Sequence, residues 1–341
     1  MTRLLQAMAG ARFGGAEAFF TRLAIALAQA GQEQRIVMRP APEREAALHR
    51  AGIAPLLLPF GGWFDFTTRP SLRRAISEYR PRVVLTWMNR ATVLCPRGDF
   101  VHVARLGGYY DLKYYRRCDH LIANTRGIAA YLVAQGWPEN RVHYLPNFPA
   151  SGRGTAVARE SLDTPAGATL VLALGRLHPN KGFDILLEAV ARAPRIYLWL
   201  AGEGPEDQAL KQKAEALKIA DRVRFLSWRE DVPGLLAACD LLAVPSRLEP
   251  LGNTIIEAWA AGKPVVATSS AGPGELIESG ENGLLVPIND ADGLARAMTE
   301  LAANQALRAR LAEAGFARYQ AAFSESSVVA SYRNFFEQVA R

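Results

Sequence analysis

Metal-binding and redox signatures are missing from this sequence. Its three cysteines, Cys95, Cys118 and Cys239, are widely spaced and form no CxxC, so they fit a reducing cytoplasm and make no zinc site. The five histidines are scattered, with no HxH or HExxH pairing, and no metal is expected. No apolar run approaches the ~20 residues that span a bilayer. The N-terminal stretch MTRLLQAMAGARFGGAEAFF also lacks the sustained apolar core of a secretory signal. Neither GxGxxG nor GxxxxGK[ST] occurs, which argues against an NAD-dependent oxidoreductase and against a P-loop enzyme.

Lysine is scarce, and 34 of the 40 basic residues are arginine. The net charge of +7 is uneven: residues 1–150 hold 20 Lys and Arg against 10 Asp and Glu, whereas residues 151–341 hold 20 against 23. A basic first half suits an anionic partner such as phosphates, an acidic glycolipid or a membrane surface. An arginine-rich coding bias would produce the same excess. The arginines are dispersed over no known nucleic-acid module, so nucleic acid is not an expected partner. With 341 residues, 50% hydrophobic and 21% charged, the chain has the composition of a soluble globular protein and the length of two domains.

Short apolar runs alternate with helical patterns almost throughout. Strands are expected at 3–8, 34–39, 54–60, 82–88, 100–106, 120–125 and 141–146, with helices clearest at 16–30 and 127–136. Apolar runs of this length followed by helices are the mark of parallel strands buried on both faces. The stretch NFPASGRGTAVARESLDTPAGAT (147–169) is rich in Pro, Gly, Ser and Thr and breaks the rhythm, so it reads as a linker. Alternation then resumes from LVLALGRL (170–177) to GLLVPI (283–288) and closes on helical patterns at 290–303, 305–322 and 324–341, the last with Ser324 as its N-cap. The expected division is an N-terminal domain 1–150, a linker 151–168, a C-terminal domain 169–323 and a final helix 324–341. Two successive βα arrays imply two Rossmann-like doubly wound α/β domains facing across a cleft, with ligands outside the carboxyl ends of the strands.

Several strand-to-helix loops carry phosphate chemistry. Gly14 and Gly15, between the first strand and its helix, would let backbone amides approach an anion, although such a pair equally makes a tight turn. In LGRLHPNKGFDILLEAV (174–190), Arg176 ends a strand and Lys181 opens a helix. Cations oppose the dipole at a helix N-terminus, so the pair suggests a counter-anion such as a diphosphate. AGEGPE (201–206) is another small-residue turn. SRLEPLGNTIIEAWAAGKPVVAT (246–268) places Glu249 before an apolar helix over 251–260 and Glu257 inside it. Amides near Gly252, Asn253 and Thr254 are available to an anion. Glu257 follows Glu249 by a little over two turns at 3.6 residues per turn, so both point toward one cleft, where a carboxylate can accept ribose hydroxyls. Capping and salt-bridging remain open for both.

The ordered pieces LGRLHPNKGFDILLEAV, LAGEGPE, VRFLSW, CDLLAVPSRLEPLGNTIIEAWAAGKPVVAT and GENGLLVPIND closely resemble the catalytic domain of the GT4-type retaining glycosyltransferases, which have the GT-B fold. FGGAEAFFTRLAIALAQAGQ resembles the GGxE loop and following helix of the same family. The resemblance implies a GT-B fold whose C-terminal helix packs back on the N-terminal domain, and a metal-independent enzyme with a nucleotide-sugar donor and no cofactor. It assigns Arg176 and Lys181 to the diphosphate and leaving-group charge, Gly252, Asn253 and Thr254 to the distal phosphate, Glu257 to the ribose and Glu249 to the donor sugar. Gly175 and Gly202 would adjoin the donor, Leu226 and Trp228 would frame the base, and Gly14 and Gly15 would approach the diphosphate from the other domain.

The chain also departs from the family. No histidine ends the strand in VHVARLGGYYDLKYY (101–115); His102 lies inside it, leaving Arg105, Tyr109 or Asp111 to fill the acceptor side. NFPA (147–150) stands for the usual NGVD, and SSAGPGE (269–275) for an acidic residue with a glycine pair, so Pro273 bears on donor-sugar choice. The expected activity is transfer of a sugar to a lipid-linked or cell-surface, lipopolysaccharide-type acceptor. The protein would then be cytoplasmic, peripheral on the inner membrane face through its basic half and the aromatics of GGWFDF (61–66). A non-catalytic nucleotide-sugar-binding subunit is the alternative.

Overall fold

The computed structural model describes residues 2–12, 14–61, 64–150 and 154–340. Gly62 and Trp63 of the aromatic stretch, Phe13 of the glycine loop, and 151–153 of the expected linker fall outside them. The chain divides into two compact units, Met1–Phe148 with Glu325–Arg341, and Pro149–Ser324.

The first unit runs β1 (Leu4–Met8), α1 (Gly15–Gln29), β2 (Gln34–Met38), α2 (Pro42–Arg50), β3 (Leu56–Leu57), α3 (Thr68–Tyr79) and β4 (Val83–Trp87). It continues through α4 (Met88–Leu94), β5 (Val101–Leu106), β6 (His120–Ala123), α5 (Arg126–Ala134) and β7 (Val142–Tyr144). The sheet order is β3-β2-β1-β4-β5-β6-β7, and every pairing is parallel. β1 and β4 are buried along their whole length, as central strands covered on both faces must be. Gln6 on β1 is tolerated there because its amide spans Trp87 Nε1 (3.0 Å) and Gln34 Oε1 (2.8 Å). β3 is far shorter than the 54–60 run suggested. Pro55 and Pro59 flank it, and neither can donate to a ladder, so pairing with β2 stops at two residues.

The second unit runs β8 (Thr169–Leu174), α6 (Phe183–Arg192), β9 (Ile196–Ala201), α7 (Asp207–Ala216), β10 (Val223–Phe225), α8 (Val232–Ala238) and β11 (Leu241–Val244). α9 (Asn253–Ala260), β12 (Val265–Thr268), α10 (Ala271–Leu276), β13 (Leu284–Val286), α11 (Ala291–Ala303) and α12 (Gln305–Ala322) complete it. Its sheet, β10-β9-β8-β11-β12-β13, is again wholly parallel. The segment before β8 packs on this unit: Trp199 Nε1 donates to Thr164 Oγ1 (2.9 Å), and Arg159 reaches the Ala238 carbonyl and Asp240. In both sheets the order reverses beside the first strand, between β1 and β4 and between β8 and β11, which is where doubly wound sheets open a crevice.

The last helix, α13 (Glu325–Val339), returns to the first unit. Val328, Val329, Tyr332, Phe335 and Phe336 form a stripe at helical spacing that joins the core of Phe19, Phe20, Trp87 and Phe148. Arg105 holds this junction. It is 4% exposed, its guanidinium lies 4.7 Å from both the Phe19 and Trp87 ring centroids, and it donates to Tyr332 Oη (3.1 Å) and to Asn147. The expectation that Arg105 fills an acceptor site is therefore corrected: aromatic faces and fixed acceptors bury it at the root of α13. Asn147 and Phe148 of the divergent NFPA segment serve the same core, Phe148 edge-on to Phe19 at 5.2 Å.

Candidate active site

In the second unit the loop after β8 folds as a short turn over Pro179–Lys181, begun by His178, whose Nδ1 accepts the Asn180 amide at 3.2 Å. Gly182 ends the turn at φ 66°. A Cβ there would press into the Pro245 carbonyl, so only glycine lets this loop lie against the chain leaving β11. That approach brings Lys181 to Glu249, and the two form an ion pair, with side chains 27% and 11% exposed. The other Glu249 oxygen accepts the Gly252 amide at 3.2 Å, and the Glu249 carbonyl accepts Gly272 N at 2.7 Å. Arg247 ties the same two loops together: it grips both Asp184 oxygens at 2.7 Å and the Pro179 carbonyl at 2.7 Å. Nothing in the sequence marks Arg247, because its partner Asp184 lies on α6, 63 residues away from the loop that carries it.

Glu249 precedes α9 rather than riding on it. The expected spacing of a little over two helical turns between Glu249 and Glu257 is corrected, since the helix begins only at Asn253, after Gly252 turns at φ 75°. A loop, not a helix face, aims Glu249. No side-chain cap covers the N-terminus of α9, and the amides of Asn253 and Thr254 have no partner among the described residues. Glu257 is half-buried one turn further on. The hydroxyl of Ser270, close by in the divergent 269–275 segment, is buried without a hydrogen-bond partner among the described residues.

Arg176 stands apart from that pair, exposed in a cleft of about 410 Å³ that it lines with Gly175, Gly202, Glu203, Trp228 and Arg229. Backbone bonds stack the strand ends that make this cleft: Gly175 N to Ala201 O (3.0 Å), Gly202 N to Ser227 O (2.7 Å) and Leu226 N to Leu200 O (2.9 Å). The Trp228 ring is 71% exposed, and its amide donates to Glu203 Oε1 at 3.3 Å. Arg229 is held by Asp231 at 2.7 and 2.6 Å, a contact that lowers the Asp231 carboxyl below its ordinary range. Glu203 and Arg229 are not singled out by the sequence, although Glu203 lies in AGEGPE (201–206) and Arg229 directly follows VRFLSW (223–228).

The first unit has its own cleft of about 470 Å³ at its switch point, lined by Gly10, Glu17, Arg39, Asn89, Arg90 and Tyr110 among others. Gly14 is the N-cap of α1, Gly15 opens the helix, and Glu17, 6% exposed, accepts the Ala11 amide at 2.8 Å, so the glutamate of the GGAE motif braces its own loop. Neither Tyr109 nor Asp111 lines this cleft. Tyr109 packs edge-on against Tyr131 at 5.2 Å, and Asp111 is turned to Lys113 at 2.8 Å. The neighbouring Tyr110 lines it instead. His102 lies inside β5, 5% exposed and 3.1 Å from Thr86 Oγ1, and burial pushes its imidazole down to about 4. Among the described residues no group of three or more His, Cys, Asp or Glu is arranged to hold a metal, and no helix is long and apolar enough to cross a membrane.

Residues 155–318 match the family model for glycosyl transferases group 1, and residues 13–148 match the model for glycosyltransferase family 4. The lipopolysaccharide core biosynthesis glycosyltransferase LpsE of Rhizobium meliloti (strain 1021) is 40% identical over 94% of each chain. LpsD of the same organism, which bears the same description, is 34% identical over 95% of each. The crystal structure of Anabaena Alr3699/HepE in complex with UDP-glucose superposes with a TM-score of 0.81 over 99% of this chain and 100% of that one, at 23% identity, a likeness of fold.

Proposed function

This chain belongs to the glycosyl transferases group 1, of the glycosyltransferase family 4 type, and from that premise we propose that it is a retaining, metal-independent enzyme. Its donor is a nucleotide sugar, and its acceptor is a lipid-linked saccharide of the lipopolysaccharide core. The observation that carries this reading is the Lys181–Glu249 ion pair at the switch point of the second unit, between the Arg176 cleft and the uncapped start of α9.

Breaking the bond between the anomeric carbon and a nucleoside diphosphate leaves negative charge on the departing phosphate. Arg176 and Lys181 neutralise it, and the Asn253 and Thr254 amides hold the distal phosphate. Because Glu249 already positions the Lys181 ammonium, little side-chain entropy is lost when the donor arrives. Glu249 meets the sugar, Glu257 the ribose hydroxyls, and the strand ends at Leu226 and Trp228 the base, with the exposed Trp228 ring as a wall. Charge stabilisation by two cations and helix amides needs neither metal nor cofactor. The names of LpsE and LpsD support the acceptor class, and the basic residues 1–150 support a place on the inner face of an anionic membrane.

A thermal-shift screen of nucleotide sugars, followed by transfer to detergent-solubilised lipopolysaccharide core with and without EDTA, tests the proposal. A ligand at 100 times its Kd is expected to add about 2.7 kcal/mol of apparent stability, transfer is expected to survive EDTA, and the product is expected to keep the donor's anomeric configuration. Stabilisation by no nucleotide sugar, EDTA-sensitive transfer or an inverted product would each overturn the corresponding part.

A further inference from the structure

The loop between β3 and α3 shows apolar rings that its own unit leaves uncovered. Phe64 is 91% exposed and Phe66 is 78% exposed. Asp65, between them, turns the other way and staples the loop. Its Oδ2 accepts Gly61 N at 2.6 Å and the Thr68 hydroxyl, and its Oδ1 accepts Thr67 N (3.1 Å), Thr67 Oγ1 (3.0 Å) and Thr68 N (2.9 Å). Thr68 is fully buried and its Oγ1 also accepts Phe60 N at 3.0 Å, so the staple is anchored in the unit. A turn built this way fixes both rings outward, against the usual burial of such side chains.

Basic residues follow at once. Arg69, Arg73 and Arg74 line a shallow groove on α3 together with Pro70 and Ser77. Arg69 and Arg73 stand four residues apart, on one helix face. Both are exposed, and neither has an ion-pair partner among the described residues, whereas Arg74 is paired with Glu78 at 2.7 Å. Asp65, the nearest acid in sequence, is spent inside the loop. Val93, whose carbonyl Arg69 approaches at 3.5 Å, adds another exposed apolar side chain at 42%.

We propose that Phe64, Phe66, Arg69 and Arg73 form the surface by which this protein docks on an anionic phospholipid bilayer, the rings entering the interface and the guanidiniums meeting lipid phosphates. The inference rests on the reading of the acceptor as lipid-linked and adds where the chain meets the lipid. A second copy of the chain is a poorer occupant. A two-fold contact through this patch sets the unpaired Arg69 and Arg73 of each copy against those of the other, while an anionic bilayer complements them.

The test is flotation with vesicles of phosphatidylglycerol in phosphatidylethanolamine, against vesicles of phosphatidylcholine. The wild type is expected to partition onto the anionic vesicles, and both the double variant F64S/F66S and the double variant R69E/R73E are expected to lose at least about 10-fold in partitioning. High salt should erase the difference between R69E/R73E and wild type but not the F64S/F66S defect. Nucleotide-sugar thermal shifts and transfer to a water-soluble acceptor fragment should stay at wild-type level in both variants. Three results would overturn the surface: a wild type that ignores anionic vesicles, variants that bind them like wild type, or a wild-type dimer that F64S/F66S turns into a monomer. A wild type that binds no nucleotide sugar strikes the proposed activity instead, and vesicle partition still decides the surface.

Discussion

Lys181 and Glu249, 68 residues apart in the chain, meet as an ion pair where the loops after β8 and β11 converge. A lysine at the end of one loop and a glutamate before a helix in another are each ambiguous alone. Joined at a sheet switch point, with Gly252 N on the second carboxylate oxygen, they form a preorganised charge site. In the proposed reaction its energetic sense is that a cation fixed beforehand costs nothing to place.

The Lys181→Ala substitution is expected to lower kcat about 10²- to 10³-fold, the scale of losing one preorganised donor to a developing anion. Glu249→Gln should cost less, because an amide oxygen still accepts the Gly252 amide. Steady-state transfer at saturating donor reads both. Turnover within a factor of two of wild type for Lys181→Ala would remove it from the leaving-group role.

On the proposed donor assignment, Arg176→Ala removes a diphosphate contact and Glu257→Ala a ribose contact. Each should raise the donor KM by about 10-fold or more, the loss of one or two charge-assisted hydrogen bonds. Arg176 is exposed in its cleft, so its removal should leave stability within about 0.5 kcal/mol of wild type. Full activity in both folded variants would sink the donor-site assignment.

Arg105→Ala is expected to destabilise the first unit by about 2–4 kcal/mol, since two ring faces and bonds to Tyr332 and Asn147 are lost together. Arg105→Lys should rescue little, because an ammonium cannot lie flat between Phe19 and Trp87 while reaching both acceptors. Urea denaturation gives the answer. A wild-type midpoint for Arg105→Ala would return that residue to the acceptor side.

His102 makes stability depend on pH. Burial holds its folded imidazole at about 4, against about 6.5 in the unfolded chain. Between those values the unfolded state binds the extra proton. The contribution is therefore complete above about pH 6.5 and is lost as pH falls toward 4, the whole loss being about 3 kcal/mol once both states are protonated. His102→Gln should flatten this part of the curve in urea melts between pH 7 and pH 4.5. An unchanged slope would assign the acid sensitivity to other groups.

The loops of the candidate donor site were legible in the sequence because each is local: Arg176 and Lys181 sit in one loop after β8, and Glu249 to Glu257 in one stretch after β11. What misled was geometry at element ends: the helix was read from Leu251 but starts at Asn253, which released Glu249 from the helix face and handed it to Lys181. The acceptor side was not legible. Arg105 looks like a site residue in a loop-adjacent motif, and only the return of α13 supplies the Tyr332 that claims it. Arg247 was passed over for the mirror reason, since its carboxylate partner lies 63 residues away.

Alternating apolar runs and helical patterns, local in the chain, determined by themselves that this is a two-domain parallel α/β protein. Tertiary structure alone decided the strand order, the placing of α13 in the core of the first unit, and the choice of partner for each charged side chain. The reason is physical. Periodicity and loop chemistry act over a few residues, whereas burial and ion pairing are settled by whichever distant group the fold brings within a few ångströms, as it brings Lys181 to Glu249.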